Sequence, residues 1–257
     1  MSVVRRDVPP RSAPTGMPPK RATVIAQRIV KEIKDRNLAP GSHLPPERDM
    51  LETYNVGRNT LREALRVLEL QGVLTIRPGP GGGPVITSPD SRHLASTLAL
   101  LMQFADTPFR AVIETRQLLE PITARLCAER GDAGLLADLR HSVDRMGESL
   151  DDRDAFLAEN RRFHDLVAWG SENPLFGYCI NSLHWITDGT VLGVDYPRRF
   201  RKLVWQAHDA VCIGIESGEG DKAEAAMRTH MDDTLAYFER HYQRQMDEVL
   251  SWEMYGT

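Results

Sequence analysis

Cysteine is scarce in this chain: Cys127, Cys179 and Cys212 are odd in number, scattered, and form no CxxC pair. That excludes a disulfide framework and fits a reducing compartment. Long apolar runs are missing too. The most apolar stretch, Leu94 to Met102, falls well short of the roughly 20 residues needed to span a bilayer. The first residues contain no apolar core of a secretory signal, so the expected location is the cytoplasm, without a membrane partner. The glycine run near residue 80 is not followed by the GK[ST] of a phosphate-cradling loop, and no HExxH supplies a metal with a general base. Nucleotide hydrolysis and zinc-protease chemistry therefore have no carrier.

What is present is unevenly distributed. Residues 1–87 hold 14 Lys and Arg against 8 Asp and Glu, a balance of +6, whereas residues 88–257 hold 18 against 28, a balance of −10. A basic head attracts phosphate backbones, and an acidic body avoids sticking to them. The length suits two ordinary domains.

Residues 1–20 are proline-rich without apolar periodicity and are expected to be a disordered arm, with Arg5, Arg6 and Arg11 able to reach along phosphates or to remain solvated. The spacing of Val24, Ile25, Ile29, Val30 and Ile33 predicts an amphipathic helix over 22–37, stopped by Pro40-Gly41. A short helix follows Leu44-Pro45. The turn Asn55-Val56-Gly57 then leads into a third helix from about Arg58 to Gln71, with Leu61, Leu65 and Leu68 facing inward. Val73–Ile76 and Pro84–Thr87 read as two strands around a loop containing Pro78 and Pro80. Three short helices and a glycine-tipped hairpin make a winged helix-turn-helix over residues 21–88. Beyond Asp90 no strand signal occurs. Periodic segments near 91–104, 108–130, 132–149, 151–171, 173–192, 198–217 and 220–247 predict an all-helical bundle of six or seven helices over 91–247. The fold class is mainly α.

On the third helix, the leucine stripe leaves Arg58, Asn59, Thr60, Arg62 and Arg66 outside. Arginine can grip guanine, and asparagine adenine, through two hydrogen bonds, while threonine and backbone amides hold phosphates. The same residues would also suit an ordinary charged surface helix. The stretches LAPGSHLPPERDM and VGRNTLREALRVLELQGVLTIRPGPGGG closely resemble the GntR family of bacterial regulators over residues 22–87. The resemblance implies DNA contacts by Arg48 and Arg58, nearby contacts by Asn59, Thr60 and Arg62, and entry of the wing at Gly79 into the minor groove. Pro78 and Pro80 replace the basic wing tip of the family's fatty-acid regulator.

Asn160 and His164 lie one turn apart in AFLAENRRFHDLV, and His208 and His230 fall in two later helices. Spacing alone leaves these open as capping or hydrogen-bonded residues. Residues 91–245 resemble the FCD ligand-binding domain of the FadR subfamily, where an acidic residue or Asn, then His at i+4, then two later histidines hold a metal. The resemblance implies a divalent metal, Zn, Ni or Mn, at Asn160, His164, His208 and His230. Many relatives carry Asp at the first position; a neutral amide is the weaker ligand. It also implies a small carboxylate effector paired by an arginine. Arg116 is the candidate, the alternative being a surface ion pair with Glu120 four residues on. The expected protein is a homodimeric transcriptional regulator, a repressor or an activator, on an inverted-repeat DNA operator. A metal-free acyl-chain sensor and a metalloenzyme are the rivals.

Overall fold

The computed structural model describes residues 20–79, 81–187 and 193–254. Arg5, Arg6, Arg11 and Pro80 lie outside the described residues, as does the end of the helix expected over 173–192. The chain divides between Pro89 and Asp90 into two compact units.

The first unit contains α1 (Arg21–Asp35), α2 (Glu47–Tyr54), α3 (Arg58–Leu70), β1 (Leu74–Arg77) and β2 (Gly83–Ile86). Its core joins Ala22, Ile25, Ala26, Ile29 and Ile33 of α1 to Met50, Leu61, Leu65, Leu68, Leu74 and Ile86. Val24, expected on the inward stripe of α1, is exposed instead, because Ala22 and Ala26 complete the i, i+3/i+4 stripe with Ile25 and Ile29. The turn between α2 and α3 holds Asn55 in the left-handed region, φ 50°, which asparagine tolerates better than most residues. β1 and β2 pair antiparallel, with Leu74 opposite Ile86 and Arg77 opposite Gly83. The far edge of β2 is also occupied: Gly41 N–H donates to Ile86 O (2.8 Å), and Ile86 N–H donates to Ser42 O (2.8 Å). The wing is thus tied to the segment that follows α1.

The second unit is helical: α4 (Ser91–Phe104), α5 (Arg110–Arg130), α6 (Ala133–Glu148), α7 (Arg153–Gly170), α8 (Pro174–Thr187), α9 (Arg198–Glu216), α10 (Gly220–His241) and the short α11 (Gln243–Met246). Starts are set by local chemistry. Asp90, Asp132 and Asp152 cap α4, α6 and α7 through backbone N–H groups, and Pro174 occupies the first position of α8, where its missing N–H costs nothing. α5 packs against α7, α8, α9 and α10. A helix surrounded in this way must bury polar residues along with apolar ones, and it does so at Arg116, Glu120 and Thr123.

Candidate functional site

Two places gather residues able to do chemistry. The first is the start of α3. Arg58 and Asn59 are exposed there, Thr60 is half-buried, and Arg62 and Arg66 are exposed farther along. No side chain caps this helix start, so its first N–H groups stay available to an anion. Arg58 has no partner among the described residues. Arg62 reaches Glu47 (Nε to Oε1 3.2 Å) and Arg66 reaches Glu69 (2.8 Å), whose other oxygen accepts the Ile76 N–H (3.1 Å). Arg48 is exposed and only loosely near Glu52, 3.8 Å away. Between α2, α3 and the wing lies a groove of about 810 Å³ whose lining includes Pro46, Arg62, Arg66, Gly79 and Gly82. Gly79 is exposed with φ +93°. At Gly82 an added Cβ would lie 2.2 Å from Arg77 O, so the loop closes only because that position lacks a side chain.

The second place is inside the helical unit. His164 on α7, His208 on α9 and His230 on α10 are buried, and one ring nitrogen from each lies within 4.8 Å of the others. His208 Nε2 and His230 Nε2 are 3.1 Å apart. His164 Nε2 and His208 Nδ1 are buried without a hydrogen-bond partner. Two imidazole nitrogens bound at about 2.0–2.1 Å to a tetrahedral ion stand roughly 3.3 Å apart, so the observed spacing fits a shared cation. Burial, then the neighbouring His230 and His164, hold His208 well below the usual histidine range, and burial pushes His230 down to about 3. Neutral rings are the form a metal binds. Asn160, one turn before His164 on α7, is partly buried.

The Arg116–Glu120 pair exists, but it is not on the surface as the i,i+4 alternative would have it. The side chains are 8% and 1% exposed, and Arg116 Nε lies 2.6 Å from Glu120 Oε1. Arg116 also donates to Thr187 Oγ1 (3.1 Å). The other carboxylate oxygen of Glu120 contacts His164 Nδ1, and His184 Nε2 lies 3.7 Å from Oε1. Burial alone would raise the Glu120 carboxyl; Arg116 and then His164 outweigh it and hold it well below the carboxylate range. Burial, reinforced by Arg116, keeps His184 neutral. Sequence reasoning missed His184 and the link from Glu120 to His164. A histidine flanked by Leu183, Trp185 and Ile186 was the available signal for the first. The second depends on α5 and α7 packing together.

The model of bacterial regulatory proteins of the gntR family matches residues 21–82, and that of the FCD domain matches residues 111–233. The chain is similar to the HTH-type transcriptional repressor NanR of Cronobacter sakazakii, 25% identical over 231 residues that cover 88% of each chain. It is also similar to the repressor of the same name from Salmonella schwarzengrund, 25% identical over 222 residues, 84% of each. Among solved structures, Streptococcus agalactiae GntR superposes with a TM-score of 0.69 at 27% identity, covering 84% of this chain and 99% of that one.

Proposed function

We infer, from a chain that joins a GntR-family regulatory domain to an FCD domain and is a DNA-binding transcriptional regulator rather than an enzyme, that it is a repressor controlled by a small carboxylate acting at a metal-bearing helical domain. The observation that carries this reading is the convergence of three buried histidines with His164 Nε2 left unsatisfied. A buried polar atom without a partner is costly, and a divalent cation removes that cost here. His164, His208 and His230 would hold the ion, with Asn160 as a neutral fourth ligand. A bound Zn, Ni or Mn ion would supply an open coordination position for a carboxylate.

Arg116 is the group for the effector's own charge. Its guanidinium donates through Nε to Glu120 and through Nη1 to Thr187, which leaves Nη2 for an incoming carboxylate. DNA reading falls to Arg48, Arg58, Asn59, Thr60 and Arg62, with the wing at Gly79 beside them. Repression is supported by the names of the relatives. No helix among the described residues is long and apolar enough to cross a membrane, and a regulator of operators works in the cytoplasm.

A homodimer is supported by the outer face of α4. Leu94, Leu101 and Phe104 are exposed there, Phe104 at 86%, and their i, i+7, i+10 spacing forms one stripe. Such a stripe suits a helix–helix seam between two copies. The reading is tested by metal analysis of purified protein together with operator titration before and after chelation. Operator binding that responds to a carboxylate only in the metal-loaded form supports it; an unchanged response after the metal is stripped overturns the metal's role.

A further inference from the structure

A neutral imidazole has one N–H and one lone pair, and which nitrogen carries which is set by the partner of the other. For His164 that partner is Glu120. The carboxylate is ion-paired with Arg116 and can only accept, so in the neutral form that a metal binds Nδ1 of His164 carries the hydrogen and Nε2 offers the lone pair. Nε2 is the buried atom without a partner. Glu120 in turn is fixed from two elements. Arg116, four residues earlier on α5, donates to Oε1 at 2.6 Å, and the other arm of Arg116 donates to Thr187 Oγ1 at 3.1 Å. Thr187 itself donates to Leu183 O at 2.9 Å within α8. The chain Thr187–Arg116–Glu120–His164 is buried throughout.

The same carboxylate also stands with His164 and His184 in a second trio of possible ligands. The guanidinium 2.6 Å from Glu120 Oε1 places a fixed positive charge beside any cation there, so this trio is a poor cation site. The role left for Glu120 is to serve the first trio from behind.

We propose that Glu120 is a positioning residue for the cation site: it fixes His164 in the tautomer and ring orientation that present Nε2 to the ion, and Arg116 fixes Glu120. This rests on the metal reading given above. It also goes beyond the ligand set itself, because a residue on α5 that never touches the ion then tunes how tightly the ion is held.

The test uses full-length protein and zinc, with affinity measured by competition against a chromophoric chelator, and cobalt(II) as a visible-absorption probe of the ligand set. Glu120→Ala, which removes the acceptor, is expected to weaken zinc binding by about 10–100-fold, and Glu120→Gln, which keeps shape and one acceptor but loses the charge, by less. The cobalt(II) band of Glu120→Gln should shift, since its coordination by His164 changes; a merely structural contribution would leave that band in place. Circular dichroism and melting of the metal-free variants identify any that fail to fold, and the near-isosteric Gln variant decides the matter if the Ala variant does not fold. Folded variants that hold zinc within about twofold of the native chain, with an unaltered cobalt spectrum, overturn the inference alone. A native chain that takes up neither zinc nor cobalt overturns the metal reading and this inference with it.

Discussion

Arg58 stands exposed at the uncapped start of α3 with no side-chain partner among the described residues, whereas Arg62 and Arg66 are each held by a carboxylate. Arg58→Ala is therefore expected to remove about 1–3 kcal/mol of operator affinity if it makes a bidentate base contact, with circular dichroism unchanged. Gel-shift titration at fixed salt reads this, and wild-type affinity in the variant removes Arg58 from the reading face. In the histidine cluster, His208→Ala or His230→Ala should abolish metal uptake, while Asn160→Asp should strengthen it by adding a negative charge. The cluster also fixes a pH dependence. His230 sits near 3 in the folded chain because of burial, and His208 and His184 are depressed in the same direction. Between its folded and unfolded pKa values each ring takes up a proton on unfolding that the folded state refuses. The stability these rings contribute is thus fully present above about pH 6.5 and is lost as pH falls toward the folded values, at up to about 1.4 kcal/mol per pH unit for each ring. Urea titrations of metal-free protein at pH 7 and pH 5 check the sign; equal or greater stability at pH 5 contradicts the buried neutral assignment.

At the scale of elements, the wing is the most demanding piece of backbone. A Cβ at Gly82 meets Arg77 O at 2.2 Å and two further carbonyls at 2.9 Å, whereas Gly79 has open space and only its φ of +93° to protect. Gly82→Ala should therefore reduce operator affinity more than Gly79→Ala, with both unit cores intact by circular dichroism; the reverse order means the loop closes differently. Elements also show what a sequence can carry. The leucine stripe of α3 and the glycine-tipped hairpin are local patterns, and they appear within a residue or so of where spacing puts them. The inward face of α1 is less legible. Val24 is the more apolar residue, but the stripe runs through two small alanines that hydropathy undervalues. α5 is harder still. Arg116 and Glu120 at i,i+4 look like a solvent-facing pair, and only packing by α7, α8, α9 and α10 makes them a buried one. The histidine set was readable from its order along the chain through a resemblance, while the tie from Glu120 to His164 spans 44 residues and depends on tertiary contact.

For the whole molecule, one winged helix covers one half-site, so specific affinity calls for two copies related by a two-fold axis, with half-sites about one helical turn apart. Light scattering should give a dimer, and Phe104→Glu should shift it toward monomer by placing a charge on the exposed α4 stripe. A dimer untouched by that change moves the interface elsewhere. An ion held only by the folded helical unit would stabilise that unit, so chelation is expected to lower its melting temperature. The measurement that bears most directly on the account is elemental analysis of the full-length chain after equilibration with Zn, Ni and Mn and removal of the excess, run beside His208→Ala. A stoichiometric divalent ion in the native chain, absent from the variant, is the result expected. No stoichiometric ion in either would contradict a metal-bearing sensor and leave His164, His208 and His230 as a polar pocket that works without one.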